Sequence, residues 1–313
     1  MKLSPKILSA VLLVILYLFA SNGYGQNNSA NDLVMNVASI NNSTQTGQKV
    51  FNRLNSHFGA LSCDNKSANY WLSTYSKNSN GFTKHLQNAL PLLDYVSREI
   101  ERLDLPGEYA LVPFIESHYN PAARSKLGPA GLWQMIASTA KHNNVIISAH
   151  YDGRYSPIDS TQGALKYLTA ITTNFSTWQT ALMAYNAGST RVRNSLNAQG
   201  LKAANENKKL PKGLAPHTYA YVLKIKAIAC LIAEPTRYGI NLPNDFEFTP
   251  LQVVSKGKGF VNLTELSQSY PVSLQDLMIL NPSYKKQIPN KSAPGNFLVP
   301  STSVDTEINV IDQ

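Results

Sequence analysis

Cysteine is nearly absent from this chain: 313 residues carry only Cys63 and Cys230. There is no CxxC pair, and the six histidines fall at no metal-ligand spacing. A zinc or iron–sulfur site therefore has no ligand set to start from, and neither metal nor cofactor is expected. The two cysteines leave either one disulfide or two separate buried thiols, and sequence alone does not choose between them. A block of five or more Lys and Arg is also missing. The formal net charge is +9, but its cations are scattered. That distribution argues against nucleic acid and leaves acidic polymers or a membrane surface as the anionic surroundings. "SKGKG" (255–259) is basic and glycine-rich, yet it lacks P-loop spacing and reads as a turn. Acid is scarce where it matters most: after Glu116 none occurs until Asp152.

The N-terminus has a recognisable pattern. Lys2 and Lys6 precede the apolar run "ILSAVLLVILYLFA" (7–20), which is shorter than the about 20 residues of a membrane span. Gly23 and Gly25 are small residues at the −3 and −1 positions of a cut before Gln26. Residues 1–25 therefore read as a cleaved secretory signal, which implies export to the periplasm or cell envelope. An uncleaved N-terminal anchor is the alternative, and it is the only expected route to a membrane. No cysteine ends the apolar run, so a lipoprotein anchor is not supported.

The rest divides by texture. Residues 26–80 are rich in Asn, Ser, Thr and Gln and lack sustained periodicity, so a poorly ordered polar leader is expected. From 81 to 240 the apolar spacing is helical, and the fold class is mainly α. Leu92, Leu93, Val96, Ile100 and Leu103 place a helix over Pro91–Asp104. "LPG" (105–107) breaks it, and a short helix from Glu108 to Ser117 carries Glu116 in its last turn. Further helices are expected from Leu132 to His142 and over "STQGALKYLTAITTNF", capped by Asp159 or Ser160. Another runs from Thr177 to a terminating Gly188, and a long one from His217 to Ala233 stops at Pro235. After Pro243, a strand (247–254), two helices (262–270 and 273–281) and a returning strand (295–300) form a small β-α-α-β module within 245–303. A tail (304–313) follows.

Glu116 is the candidate for chemistry. A helical Glu is usually a solvated surface residue. Here Leu111, Val112, Pro113, Phe114 and Ile115 precede it, and Ser117, His118 and Tyr119 follow. A carboxyl in an apolar pocket has its pKa raised, which suits it to act as a general acid near neutral pH.

The surrounding motifs carry a resemblance. Glu116-Ser117, Asn120-Pro121 with Ser125, Gly131-Leu132-Trp133-Gln134-Met135 and Ala184-Tyr185-Asn186-Ala187-Gly188, in that order, resemble the Slt-type lytic transglycosylases. "YDGRYSPIDSTQGALKYL" (151–168) is similar to the segment between the last two motifs in the membrane-bound lytic murein transglycosylase D group. The likeness covers about 86–235. It implies a goose-lysozyme-like helical domain whose partner is the peptidoglycan glycan strand. The reaction it implies is non-hydrolytic cleavage of the MurNAc–GlcNAc bond, leaving 1,6-anhydro ends, with Glu116 as acid and then base. It also implies substrate contacts from Ser117, Gln134, Met135, Tyr185, Asn186 and Tyr221. From the residues alone, Ser117 could equally cap a helix and Gln134 satisfy local backbone, while Trp133 reads as core. The family's later motif, E-T-R-x-Y-V, is altered here to His217-Thr218-Tyr219-Ala220-Tyr221-Val222. "YPVSLQDLMILNPSY" and "PGNFLVP" resemble part of a LysM-type glycan-holding module that lacks the usual "GDTL" opening. A lysozyme-like hydrolase and a non-catalytic peptidoglycan-binding protein remain the alternatives.

Overall fold

The computed structural model describes residues 44–64, 68–175, 177–202, 209–255, 263–269, 272–284 and 293–301. The expected signal (1–25), the leader to residue 43, most of "SKGKG" and the tail from 304 lie outside the described residues. The described part is mainly α, as the periodicity predicts, and none of its helices is long and apolar enough to cross a membrane.

The expected boundary at residue 81 does not hold. Strand β1 (Gln45–Thr46) leads into helix α1 (Gly47–His57), and helix α2 (Asn69–Lys77) follows. In α1, Val50, Phe51 and Leu54 recur at helical spacing and are buried in the main core. Polar composition hid this stripe, because three apolar residues suffice to dock a helix when a larger core receives them. Helix α3 runs Ser79–Arg102 and starts well before the expected Pro91. Asn78 caps it by accepting from the Gly81 amide, and Phe82, Leu86 and Leu90 extend its buried face backward from Leu93. Pro91 sits inside this helix; the local penalty of about 3 kcal/mol is offset by a long buried face.

Asp94 on α3 holds these pieces together. It is fully buried and accepts from Arg53 Nη1 of α1 at 2.7 Å and from Arg98 Nε at 3.0 Å. Arg98 in turn donates to the Leu251 carbonyl. Without such partners a fully buried carboxylate would carry a large desolvation cost.

After α3, a 3-10 segment (Gly107–Leu111) passes into helix α4 (Val112–Ser117). Then come α5 (Ala137–His142), α6 (Pro157–Asn174), α7 (Trp178–Ala187), α8 (Ser189–Asn197) and α9 (Pro216–Ala233). Two helix starts differ from expectation. Ser156, not Asp159 or Ser160, caps α6, because Pro157 is pre-organised for the first helical position. Residues 131–134 are turn rather than the opening of α5, because Gly131 and Gln134 adopt positive φ. The cap at Thr177 and the stop at Gly188 are as predicted. Cys63 and Cys230 form a disulfide that ties the N-terminal segment to α9.

Strand β2 (Glu247–Phe248) pairs antiparallel with β1. A β-α-α-β unit follows: β3 (Leu251–Ser255), α10 (Leu263–Ser269), α11 (Leu274–Leu280) and β4 (Asn296–Pro300). In it β3 and β4 pair antiparallel from Leu251↔Pro300 to Ser255↔Asn296. Val254, Leu263, Leu266, Leu277, Phe297 and Val299 make its own small core. The Asn281 side chain bonds both the amide and the carbonyl of Leu298, locking α11 to β4. The unit is seated on the helical body. Tyr284 stacks between Phe297 and Tyr151, and Tyr151 donates to the buried Asp159 carboxylate at 2.7 Å.

Candidate active site

Glu116 owes its position to an abrupt helix end. α4 is short, with Pro113 in its first turn, and His118 (φ 52°) and Tyr119 (φ 60°) stop it with two consecutive left-handed residues. Such backbone is costly for residues other than glycine and persists only when its surroundings hold it. They do so here: the Tyr119 amide bonds the Pro113 carbonyl, and its buried hydroxyl donates to the Ala110 carbonyl at 2.6 Å.

The loop 120–136 forms the facing wall. The Gly131 amide bonds Ala123 at 2.8 Å, and a Cβ at Gly131 would lie 1.6 Å from the Arg154 carbonyl oxygen. Only glycine fits there, which is the physical content of the first residue of "GLWQM". Ser117 Oγ donates to the Leu132 carbonyl at 2.7 Å, so the residue beside the acid ties α4 to this loop.

Between α4, this loop and α7 lies a groove of about 450 Å³. Glu116, Gln134, Met135, Tyr185 and Asn186, all expected from the motifs, line it together. Ser117 and Tyr221 are not on its wall; both are buried behind it. Gln134 Nε2 donates to the Gly131 carbonyl at 2.8 Å, so this side chain supports its own turn while facing the groove. The Tyr185 hydroxyl donates to the Trp133 carbonyl at 2.8 Å. Trp133 itself is core, with its indole N–H on Thr161 Oγ1. Asn186 Oδ1 accepts from Thr218 Oγ1 at 3.0 Å.

The altered motif on α9 can now be read. Thr218 and Tyr221, the members that face the groove residues Asn186 and Glu116, are unchanged from the family pattern. Tyr219 turns outward: its hydroxyl donates to the Pro211 carbonyl and accepts the Leu214 amide, fastening the loop that leads into α9.

Burial pushes the Glu116 carboxyl up to about 7; the Tyr221 hydroxyl and the Lys224 ammonium pull the other way. The Tyr221 hydroxyl has no hydrogen-bond partner of good geometry, yet it lies close enough to Glu116 that burial and the carboxylate together raise its own pKa well above the usual phenol range. Glu108, on the 3-10 segment, is also raised to about 7 by burial. Both its oxygens accept from the Gly59 amide, so it pins the N-terminal segment and lies outside the groove.

Sequence reasoning missed Tyr167 and Ile136, which also line the groove, and Lys224 behind it. Lys224 follows Tyr221 by three residues on α9, so helical spacing could have found it. Tyr167 had no comparable signal; the packing of α6 on α7 brings its ring 5.8 Å from that of Tyr185. Ile136 is 50% exposed and gives the groove an apolar edge. Among the described residues no cluster of three His, Cys, Asp or Glu could hold a metal ion. One protonatable carboxyl, set among amide, hydroxyl and aromatic groups, can give and take a single proton.

Comparison with known proteins agrees with the motifs. Residues 101–208 match the family model "Transglycosylase SLT domain". The chain is 27% identical over 219 residues to membrane-bound lytic murein transglycosylase D of Escherichia coli K12, covering 69% of this chain and 48% of that protein. It is 31% identical over 138 residues to membrane-bound lytic murein transglycosylase F of Stutzerimonas stutzeri, covering 41% and 27% respectively. A solved structure of an inactive mutant of lytic transglycosylase Slt from Pseudomonas aeruginosa matches at 22% identity and a TM-score of 0.35, over 48% of this chain and 25% of that one. The chain spans about half the length of the first of these relatives. Residues 101–208, which carry Glu116 and the groove residues, are thus similar to a transglycosylase SLT domain, and the chain is similar to membrane-bound lytic murein transglycosylase D.

Proposed function

We propose that this chain is a peptidoglycan lytic transglycosylase of the cell envelope, acting on glycan strands with Glu116 as its single acid and base. The observation that carries this reading is the groove itself: its floor holds one carboxyl raised to about 7, and no second carboxylate is among its lining residues. Most hydrolytic glycosidases use a second carboxylate, as nucleophile or to activate water. Here the substrate supplies the nucleophile. Glu116 protonates the glycosidic oxygen as the C1–O bond breaks, giving the GlcNAc 4-hydroxyl. The 2-acetamido group supports the cationic C1. The Glu116 carboxylate then takes the C6 hydroxyl proton as O6 bonds C1, which closes the 1,6-anhydro ring and restores the acid. No water enters, and the intramolecular attack has a large effective concentration.

Gln134, Met135, Tyr185 and Asn186 contact the sugars in this reading. Ser117 and Tyr221 act from behind, by fixing the loop and by facing the carboxyl. The mature protein, purified and incubated with murein sacculi, is expected to release 1,6-anhydro muropeptides by mass spectrometry. Reducing ends alone would make it a lysozyme-like hydrolase, and no release would leave a binding protein.

The β-α-α-β unit at 251–300 is read as a LysM-type module that holds the same glycan. Titrating the full chain with N-acetylglucosamine oligomers should shift the amides of this unit. Shifts confined to the Glu116 groove would reduce it to a structural appendage.

A further inference from the structure

α4 has a second face. Glu116 points into the groove described above, while Phe114, Ile115 and His118 line a separate groove of about 340 Å³ against α2, the start of α3 and Lys224 of α9. Its floor is aromatic: ring centroids step from Tyr75 to Phe82 (5.6 Å) and on to Phe114 (5.8 Å). Its rim is basic. His85 and His118 stand edge to face at 5.3 Å, and the Lys224 ammonium lies 4.6 Å over the Trp71 ring. No Asp or Glu is among the lining residues. Lys224 joins no salt bridge among the described residues, and its charge acts on Glu116. Ile115 lines this groove and its neighbour Glu116 lines the other, so the two grooves flank the same end of α4. α2 and the start of α3 precede the matched domain at 101–208, and Thr74, Tyr75 and Asn78 of this groove fall in the segment that composition marked as leader.

We propose that this second groove binds the acidic peptide stem carried by the muramoyl sugar at the cleavage site, an inference that rests on the peptidoglycan reading above. The stem begins on the lactyl group of the reacting sugar, so a strand seated at Glu116 projects it beside the cleavage point. It combines small apolar side chains with free carboxylates. An aromatic floor takes the first and the Lys224, His85 and His118 rim the second. The chain's own residues 26–43 are a poor complement, since they contain a single acid, Asp32.

Two measurements on the full chain test this. In the first, turnover is compared between glycan strands bearing tri- or tetrapeptide stems and the same strands stripped by an amidase. Stem-bearing strands should be preferred about tenfold, the size of one charge-assisted hydrogen bond. His85→Glu, an exposed position, should bring that ratio toward one. A wild-type ratio of one, or a ratio untouched by the substitution, overturns the proposal. In the second, the free peptide Ala-γ-Glu-Lys is titrated while the His85 and His118 rings and the Trp71 indole are followed by NMR. These signals should move with the acidic peptide and stay still with its fully amidated form; equal response, or none, overturns the proposal. This titration decides the point even if neither strand is cleaved, an outcome that would instead remove the lytic assignment.

Discussion

Replacing Glu116 by Gln is expected to lower turnover of murein about 10⁴-fold, the upper range for a general acid–base group, because in the proposed reaction one carboxyl serves both proton transfers. The same substitution should make the protein more stable above neutral pH. Burial raises this carboxyl from its ordinary value of 4.5 to about 7. The folded state thus holds the proton more tightly than the unfolded chain does. The stability that comes with protonation is full below about pH 4.5 and is lost as pH rises through about 7, by up to about 3 kcal/mol at 1.36 kcal/mol per unit. Gln carries no charge to desolvate, so thermal unfolding at pH 8 should show a higher Tm for the variant, with little difference at pH 4. For the wild type, kcat/KM should fall as pH rises through about 7, since the free enzyme must be protonated. Tyr221→Phe removes a group that lowers this pKa, so its pH profile should move upward. Equal pH-dependence of stability in wild type and Glu116→Gln would mean the carboxyl is solvated, and the acid would have to be sought elsewhere.

The second large effect concerns the disulfide. Cys63 and Cys230 are 167 residues apart. Closing so long a loop restrains the unfolded chain by about 5 kcal/mol in the chain-entropy account. Reduction, or the double Cys63→Ala/Cys230→Ala change, should therefore lower Tm by roughly 10 °C or more. Neither cysteine lines the groove, so cleavage measured well below the transition should persist. Hydrogen exchange should locate the loosening in α1 and residues 58–64, which the bridge ties to α9. A calorimetric Tm unaffected by reductant would show that α1, Asp94–Arg53 and Glu108–Gly59 already hold the N-terminal segment without the bridge.

The neighbours of Glu108 show where reading from the sequence reached its end. Both Glu108 and Glu116 sit in apolar surroundings, and burial raises both carboxyls to about 7. The chain as a string does not separate them. Glu108 faces the Gly59 amide and closes a structural contact, whereas Glu116 faces open space. The difference is one of direction, set by the left-handed pair His118–Tyr119 that stops α4 and by the Gly131 turn that brings the opposite wall across. The ordered motifs from Glu116 to Asn186 point to Glu116 rather than Glu108 only through their resemblance to a family.

What the sequence determined by itself is local. Helical periodicity, the Thr177 cap, the Gly188 stop and the β-α-α-β order after Pro243 all follow from residues within a few positions of one another, where propensity and spacing act directly. The tertiary structure alone decided the rest. It drew α1 and α2 out of a polar stretch into the core, ran α3 through Pro91, and joined Cys63 to Cys230. It set Ser117 and Tyr221 behind the groove, and it placed Lys224 and Trp71 on the far side of α4. Each of these depends on burial against segments distant in the chain, and burial is a property of the assembled fold that no short window of residues contains.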